Sequence, residues 1–454
     1  MVLFAMRDEL ISRHRDEFAQ RLLASMAMQT KVLRDTIGYA TTGESQITAT
    51  LGLTMGELWL GHHDGVARCL ERLATLLPTQ FSPDGSHVSR SPRALLEGLS
   101  DLLMLRAWLR QVGRDVPKPM QDVIDRGMSM LRFYRLGDGR LVAMNGAGEE
   151  EALWVQSVLA NDDTTGRPFG FAPHARYQRL ARGRVVLIAD TGTSPALPYA
   201  GRAHAGCLAF ELSVGRHRLV VNCGGTRDLG ADWQLAVRTT AAHSTLTLDQ
   251  VSSARWLESG LDYRLFGPAL CDGPKHVESR RYESDDGVWL DTSHDGYVRQ
   301  FGLEHHRRLF VDAAGIDIRG EDRLMPPLGH SGQAGSSSVP FAIRFHLHPD
   351  VRLSLSQDGT RAFALLTKNE GWQFRISGEA PMGLAIEPSV FVSDEGLRPS
   401  EQIVVTGRTF KRNARVAWAW QRIGARGETD KDGSAADWDN GYGDLIEVPQ
   451  LQSS

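Results

Sequence analysis

The spacing of apolar residues changes once along the chain, and this change limits the folds that the chain can adopt. Up to about residue 140 the apolar residues recur at helical spacing, as in Phe18, Leu22, Leu23, Met26 and Leu33. From about residue 177 they alternate with polar residues in short segments. A period near 3.6 indicates amphipathic helices, and a period of two indicates half-buried strands. We therefore expect helices first and antiparallel strands afterwards, with no long helix between residues 205 and 350.

These two halves predict an α+β multidomain protein, because 454 residues exceed what one compact core usually holds. Residues 1–140 read as helices in series with short connections, which fits part of an α-helical toroid. Residues 141–176 are rich in Gly, Asp and Asn and are predicted to connect the halves. Regular short strands over residues 177–425 favour a large antiparallel β-sandwich. Residues 426–454 are predicted to be a loosely packed polar tail.

Composition excludes several classes of function. A formal net charge of -4 argues against general nucleic-acid binding. The chain has no apolar run long enough for a transmembrane helix, and its four cysteines include no CxxC pair, which argues against a zinc ribbon. The first residues do not form a signal peptide, because their apolar run is short and acidic residues follow at once. The sequence therefore predicts either a cytoplasmic protein or a missing upstream segment.

The stretch from Arg202 to Ser253 contains three segments with period-two alternation. His204 opens the first segment, Asn222 closes the second and His243 opens the third. If the three strands are neighbours, these side chains converge at one end of a sheet. Two imidazoles and a carboxamide oxygen then form a metal or anion site. The alternative is that each His satisfies a buried strand end or lies at the surface.

The segments RAHAGCLAFEL, LVVNCG and RTTAAHSTLTL resemble the C-terminal domain of heparinase II/III-like polysaccharide lyases. The family pattern has an HxHAD segment leading into SFEL, then a VDPG-like strand end and an RSTxAHNT segment. The resemblance implies a helical toroid joined to a β-sandwich. It also implies β-elimination on acidic polysaccharides or oligosaccharides, such as glycosaminoglycan or alginate, in the periplasm or cell envelope.

The resemblance also implies a structural zinc held by His204, Asn222 and His243. Asn222 stands where the family has a metal-binding Asp, and an uncharged carboxamide is a weaker zinc ligand than a carboxylate. Arg202 stands where the family often has the first His of HxHAD, and Gly206 where it often has Asp. These substitutions weaken the expectation of a metal.

A loop of the N-terminal half, FSPDGSHVSRSPR, resembles the family's DGxxxExSPxYH-like loop. The chain keeps Asp84, Gly85, Ser91 and Pro92 of that pattern, and His87 and Arg90 add two groups that bind anions. The Tyr and His after the Pro are replaced by Ala94 and Leu95, and the family's Asn-His pair falls on Gly43 and Glu44. The usual catalytic groups of the family are therefore not matched.

β-Elimination needs a group that neutralises the sugar carboxylate, a base for the adjacent carbon and an acid for the leaving oxygen. The sequence offers neutralising groups in His87, Arg90, Arg202 and Asn222, and proton-transfer candidates in His204, His243, His174, Tyr177 and Glu44. We expect the loop to face the sandwich across a groove, with His87 and Arg90 directed toward Arg202 and His204. The alternative for Arg90 is a local pair with Glu97.

Two functions from different classes remain open at this point. The first is a lyase with altered catalytic groups. The second is a non-catalytic protein that binds acidic saccharides or assists envelope assembly on a degenerate lyase scaffold. A hydrolase is a weaker third, because it needs two carboxylates paired across a cleft.

Overall fold

In a computed structural model the described residues are 17–40, 43–162, 168–225, 230–328, 338–368, 370–378 and 382–424. The predicted tail at residues 426–454 lies outside them. The helices are α1 (Glu17–Thr36), α2 (Gly43–Leu60), α3 (His63–Gln80), α4 (Pro92–Gln111), α5 (Lys118–Tyr134), α6 (Ala152–Leu159), α7 (Ala231–Ala236), α8 (Gly260–Phe266) and α9 (Val298–Phe301).

Helix α4 shows how local chemistry sets these boundaries. The Ser91 hydroxyl accepts a hydrogen bond from the Ala94 N–H at 3.4 Å, and Pro92 occupies the first turn, where its missing N–H costs nothing. The helix ends at Gln111, and Gly113 follows with a φ of 69°. Only glycine adopts this left-handed conformation without strain. Between these ends, leucines at helical spacing are fully buried against α5 and the neighbouring helices.

The strands follow in chain order. They are β1 (Phe171–Ala172), β2 (Tyr177–Arg182), β3 (Val185–Asp190), β4 (Phe210–Val214), β5 (His217–Val221), β6 (Leu246–Leu248), β7 (Arg255–Trp256), β8 (Leu270–Cys271), β9 (Val277–Ser284), β10 (Gly287–His294), β11 (Glu304–Asp312), β12 (Asp317–Met325), β13 (Pro340–Leu347), β14 (Arg352–Leu355), β15 (Arg361–Thr367), β16 (Glu370–Gly378), β17 (Gly383–Ser393), β18 (Gly396–Arg408) and β19 (Ala414–Arg422).

Two antiparallel sheets form the sandwich. The first has the order β1-β2-β3-β4-β5-β13-β18-β17, with β6 also pairing with β13. The second has the order β14-β15-β16-β19-β12-β11-β10-β9. Their inner faces enclose an aromatic core in which Phe210 stacks on Trp418 at 5.7 Å and Phe345 meets Trp418 at 4.9 Å between ring centroids. Period-two alternation produces this core, since every second side chain of each strand points inward.

The fold class predicted from the apolar spacing is confirmed. Long helices end at Tyr134, and within the sandwich the described helices have at most seven residues. The helices pack on the outer face of β2 and β3, where Tyr177 and Ile188 join the helical core. None of the helices described here is long and apolar enough to cross a membrane. This packing brings the loop after α3 against the segments that follow β3.

Candidate functional site at the junction of helices and sandwich

The loop between α3 and α4 is fastened to the sandwich through Asp84. One carboxylate oxygen of Asp84 accepts the Ser86 N–H at 3.0 Å, and the other accepts the N–H groups of His174 and Ala175 at 2.8 and 3.0 Å. Burial alone would raise the pKa of Asp84, but these hydrogen bonds and that of the Ser86 hydroxyl hold it below its usual value. The loop therefore lies against the sandwich.

The structure contradicts both roles that the sequence predicted for Arg90. The side chain is 7% exposed, and its guanidinium forms an ion pair with Asp190 at the end of β3. It also donates to the carbonyl oxygens of Ala175 and Thr193, each at 2.8 Å. Glu97 pairs with Arg93 instead, at 3.0 Å. Because every branch of the guanidinium is engaged, Arg90 joins the two halves of the chain and does not grip a polyanion.

Tyr177 is likewise a residue of the junction. It is fully buried, its hydroxyl donates to the Arg90 carbonyl oxygen at 3.0 Å and accepts from Asn145 Nδ2 at 2.6 Å. Burial, and then the negative charge of Asp190, raise the pKa of Tyr177. A phenol held in this way cannot act as the base or acid that the sequence proposed. We call Arg90, Asp190, Tyr177 and Asn145 the junction network.

Asn145 links the junction network to the histidines. Its Nδ2 also donates to Asp190 at 3.1 Å, and its Oδ1 accepts the backbone N–H of His204 at 3.2 Å. Asn145 has a φ of 49°, and Arg90 one of 61°. Left-handed backbone at non-glycine residues is strained, and it persists where surrounding contacts determine it. Asn145 was not among the predicted site residues, although the Asn145-Gly146 pair is a strong turn signal.

His204 and His243 lie in contact. His204 Nδ1 is 3.0 Å from His243 Nε2, and His243 Nδ1 is 2.7 Å from the Thr239 carbonyl oxygen. A carbonyl only accepts, so His243 carries its proton on Nδ1 and its Nε2 is an acceptor. His204 must then donate from Nδ1, which leaves Nε2 with a lone pair. Among the residues that the structure describes, His204 Nε2 has no hydrogen-bond partner.

Burial keeps both imidazoles neutral. It lowers the pKa of His243 to about 4, and it lowers the pKa of His204 well below its ordinary value, because a proton on His204 would also face His243 and the charge of Arg238. The His204 side chain nevertheless lies close to the protein surface, since 7% of the residue is exposed. The pair therefore presents one unprotonated nitrogen throughout the neutral pH range.

Two glycines make room for this pair. A Cβ on Gly206 would lie 2.6 Å from His243 Cδ2, and one on Gly225 would lie 3.2 Å from His204 Nε2. The first distance is a clash with a rigid ring. The glycine that stands where the family often has Asp is thus required by the close approach of His243.

Asn222 lies under the same strand ends but is turned to other partners. Its Oδ1 accepts the Ser244 N–H at 2.9 Å, and its Nδ2 donates to Glu211 Oε1 at 3.4 Å. The described residues include no group of three His, Cys, Asp or Glu that could hold a metal ion. Since a structural zinc takes four such ligands, two nitrogens and an engaged carboxamide do not fit it. The His204–His243 hydrogen bond occupies the place where the resemblance implied a metal.

Two further side chains, Arg202 and His87, belong to this region. Arg202 is exposed, and its Cβ and backbone pack on Gly146, which in turn approaches Gly225 beside His204. His87 is 5% exposed, with Nδ1 2.7 Å from the Ser89 hydroxyl. Burial, and then the charge of Arg202, lower the pKa of His87 to about 4. His87 and Arg202 therefore lie within electrostatic reach of each other.

Tyr199 and Gln80 belong to the same place and were missed by sequence analysis. The Tyr199 ring packs edge-on against His87 with 6.4 Å between centroids, and its hydroxyl accepts from Gln80 Nε2 at 2.7 Å. Tyr199 lies three residues before Arg202 in one 3₁₀ turn, Leu197–Arg202. The short distance in sequence between Tyr199 and Arg202 could have indicated that Tyr199 lies near the site. We call Gln80, His87, Tyr199, Arg202 and His204 the junction site.

The remaining proton-transfer candidates are peripheral. His174 is exposed, and only its backbone N–H takes part in the Asp84 contact. Glu44 is exposed in the first turn of α2. Its neighbour Gly43 lies directly against the Gln80 amide, so the start of α2 borders the junction site.

Comparison with known proteins adds to this geometry. A family model described as "Heparinase II/III-like, C-terminal" matches residues 164–419. The FtsZ-localized protein C of Caulobacter vibrioides (strain NA1000 / CB15N) is 38% identical over 353 residues, which cover 77% of this chain and 60% of that protein. The chain thus spans less than two thirds of the length of this relative.

Solved structures share the fold. The crystal structure of heparinase III has a TM-score of 0.71 at 12% identity, covering 94% of this chain and 69% of that one. Heparan sulfate lyase HepC from Pedobacter heparinus has a TM-score of 0.63 at 13% identity, covering 89% of this chain and 63% of that one. The family model, which matches more than half of the residues, shows that this chain belongs to the heparinase II/III-like family.

Proposed function

We propose that the chain binds an acidic, uronic-acid polysaccharide at the junction site and cleaves it by β-elimination, with His204 as the base. The observation that carries the proposal is the hydrogen-bond series from Thr239 through His243 to His204. This series fixes the tautomer of His204 and leaves its Nε2 lone pair unused. A fixed neutral imidazole with a free nitrogen is the form that a general base requires.

Arg202 is the group proposed to neutralise the sugar carboxylate. It is exposed beside the histidines. His87 does not take this role at neutral pH, because its lowered pKa of about 4 leaves it uncharged. A guanidinium opposite a carboxylate lowers the barrier to removing the proton on the adjacent carbon.

The elimination balances with the groups at hand. His204 Nε2 takes the proton from the carbon next to the carboxylate, and the electron pair forms a carbon–carbon double bond. The bond to the glycosidic oxygen breaks, and that oxygen receives a proton from the Tyr199 hydroxyl. Tyr199 is assigned this step because its hydroxyl, unlike that of Tyr177, is not enclosed in the junction network. Membership of the family supports a periplasmic or cell-envelope location for this reaction.

The test is incubation with a panel of uronic-acid polymers while ultraviolet absorbance reports unsaturated sugar ends. We expect product from the parent chain and a loss of at least about a hundredfold in His204→Gln, the range typical for a general base. The matched control is His276→Gln, which changes an exposed imidazole on the same domain. Absence of product from the parent chain on every polymer would remove the lyase proposal.

A second candidate is a non-catalytic protein that binds acidic saccharides or assists envelope assembly. One observation favours it: Arg90 and Tyr177, two of the groups the sequence offered for chemistry, are enclosed in the junction network. The relative named FtsZ-localized protein C is described by location and not by activity. This candidate predicts affinity for acidic oligosaccharides without unsaturated product, and reduced affinity in Arg202→Ala.

A further inference from the structure

A second cavity lies where the turn between β4 and β5, the end of β13 and the turn between β17 and β18 meet the connection that follows α5. Its volume is about 360 Å³, near the lower end of the roughly 300–1,000 Å³ that is usual for ligand sites, so its ligand is small. The residues that line it carry charges of both signs, and the apolar ones among them are Val351 and Leu366. We call this space the charged cavity.

One side of the charged cavity is formed by carboxylates. The Glu149 side chain is only 8% exposed, and its Oε1 lies 3.5 Å from Arg140 Nη1 and 3.6 Å from His348 Nε2. Both contacts are longer than the roughly 2.7–2.9 Å of a charge-assisted hydrogen bond. The same Arg140 nitrogen is 3.3 Å from Asp394 Oδ2, so two carboxylates share one guanidinium nitrogen. This side of the cavity therefore has room and negative charge for an ammonium group.

The opposite charge comes from the strand and turn that carry Arg218 and Arg216. Arg218 Nε donates to Asp138 at 2.7 Å, and Nη2 donates to the Leu141 carbonyl oxygen at 2.9 Å. Its Nη1 is buried without a hydrogen-bond partner among the residues that the structure describes, and Glu211 Oε2 lies 3.8 Å from it. Arg216 is exposed and also lines the cavity. A buried donor without an acceptor is costly and marks a place where a ligand or water belongs.

The charged cavity thus offers a buried carboxylate with long contacts and a buried guanidinium with an unused N–H. We propose that it binds a small zwitterion of the amino-acid type, either a free amino acid or a dipeptide. The ammonium group lies between Glu149 and Asp394, and the carboxylate accepts from Arg218 Nη1 and Arg216. A ligand with one charge would leave the other side of the cavity without a partner, and a large apolar side chain would remove charged groups from water.

This binding site is separate from the junction site. The two are joined by one short segment, in which Gly146 packs against Arg202 and Glu149 lines the charged cavity. An acidic saccharide carries negative charge alone and would bring it close to Glu149 and Asp394, which disfavours it here. The proposal therefore goes beyond the proposed function and does not rest on it.

The test measures binding of four probes to the intact chain by calorimetry and by ligand-observed NMR. Glycine and glycylglycine carry both charges, N-acetylglycine lacks the ammonium group and glycinamide lacks the carboxylate. We expect the zwitterions to bind at least about tenfold more tightly than either singly charged probe, the effect of losing one charged hydrogen bond. Tighter binding of glycylglycine than of glycine would identify a peptide ligand, and the reverse order a free amino acid.

Two surface variants assign the charges. Arg216→Gln and Asp394→Asn should each weaken the zwitterions by roughly five- to tenfold. The matched controls are Arg352→Gln and Asp285→Asn, which change exposed residues that do not line the cavity. Thermal melts establish that all four variants fold. Equal binding of all four probes, no binding of either zwitterion, or equal losses in the control variants would overturn the site. Cleavage of uronic-acid polymers has its own assay, so neither result decides the other.

Discussion

Two histidine pairs in this protein have nearly the same ring geometry. They differ in whether the outer ring nitrogens of the pair have hydrogen-bond partners. His204 and His243 have ring centroids 5.1 Å apart at 83°, and His294 and His305 have centroids 5.2 Å apart at 86°. In the second pair Gly296 N–H donates to His294 Nδ1, His294 Nε2 donates to His305 Nδ1, and His305 Nε2 donates to Asp322. All four of its ring nitrogens are used, whereas the first pair leaves one nitrogen open.

We call His294–His305 the closed pair, because all its ring nitrogens have partners, and His204–His243 the open pair, because one nitrogen has none among the described residues. The His294–His305 pair is closed by a buried ion pair, in which Arg307 donates to both Asp322 oxygens at 2.8 and 3.1 Å. Burial alone would raise the pKa of Asp322, but Arg307 and then His305 hold it well below its usual range. Arg307 also donates to the Ser244 carbonyl oxygen at 2.8 Å, next to His243. The closed pair therefore supports the backbone that carries the open one.

Breaking the closed pair should have the largest effect on stability. Arg307→Met leaves the Asp322 carboxylate buried without its countercharge, and we expect a loss of about 3–5 kcal/mol in the free energy of unfolding. Urea denaturation measures it. The matched control is Arg308→Met on the same strand, whose partner Asp291 is 49% exposed, and its expected loss is below about 1 kcal/mol. Equal losses in the two variants would contradict the structural role of the closed pair.

Substituting one histidine in each pair should separate folding from chemistry. His305→Gln removes a bond to Asp322 and should lower the free energy of unfolding by about 2–4 kcal/mol. His204→Gln should cost less stability, about 1–2 kcal/mol, because its Nε2 has no partner to lose among the described residues. Denaturant titration and product formation are measured on both variants. A His204→Gln chain that turns over substrate at the parent rate would refute the comparison.

The Asn222→Asp variant tests whether the missing carboxylate is the reason that the open pair does not fit a metal. The new carboxylate would face Glu211, which is fully buried and lies 3.4 Å from the present Nδ2. We expect a loss of about 1–3 kcal/mol in metal-free buffer, because two buried carboxylates repel each other. Added zinc should recover part of this loss in the variant and leave the melting temperature of the parent chain unchanged. Zinc that stabilises the parent chain equally would show that the residues present hold a metal.

The last expected effect is a change in the pH dependence of stability, caused by His87. Its folded pKa of about 4 lies below the ordinary 6.5, so between these values the unfolded chain binds a proton that the folded chain does not. Stability therefore falls as pH decreases through this window, and one such proton contributes at most about 1.4 kcal/mol per pH unit. His87→Gln should make the slope shallower by up to this amount. An unchanged slope in urea titrations from pH 6.5 to 4 would contradict the buried, neutral state of His87.

More of the fold than of the candidate site could be predicted from the sequence. Apolar spacing predicted the order of helices and strands, and Ser91, Pro92 and Gly113 marked the ends of α4, because capping depends on neighbours in the chain. The approach of His204 to His243 could be anticipated from their positions at strand ends. The partners of Arg90 and Tyr177 could not, since Asp190 and Asn145 reach them only through tertiary packing. The role of an ionisable side chain depends on such contacts more than on its type.

The most direct test of the open pair is the protonation state of each imidazole nitrogen, read by nitrogen NMR at neutral pH. The hydrogen bonds predict opposite tautomers in the two pairs. His204 and His243 should both carry the proton on Nδ1, and His294 and His305 should both carry it on Nε2. Addition of a uronic-acid oligosaccharide should then shift the unprotonated Nε2 signal of His204 and leave the His294 and His305 signals in place. A proton on His204 Nε2, or a His204 signal that does not respond to any acidic oligosaccharide, would contradict the assignment of His204 as the base.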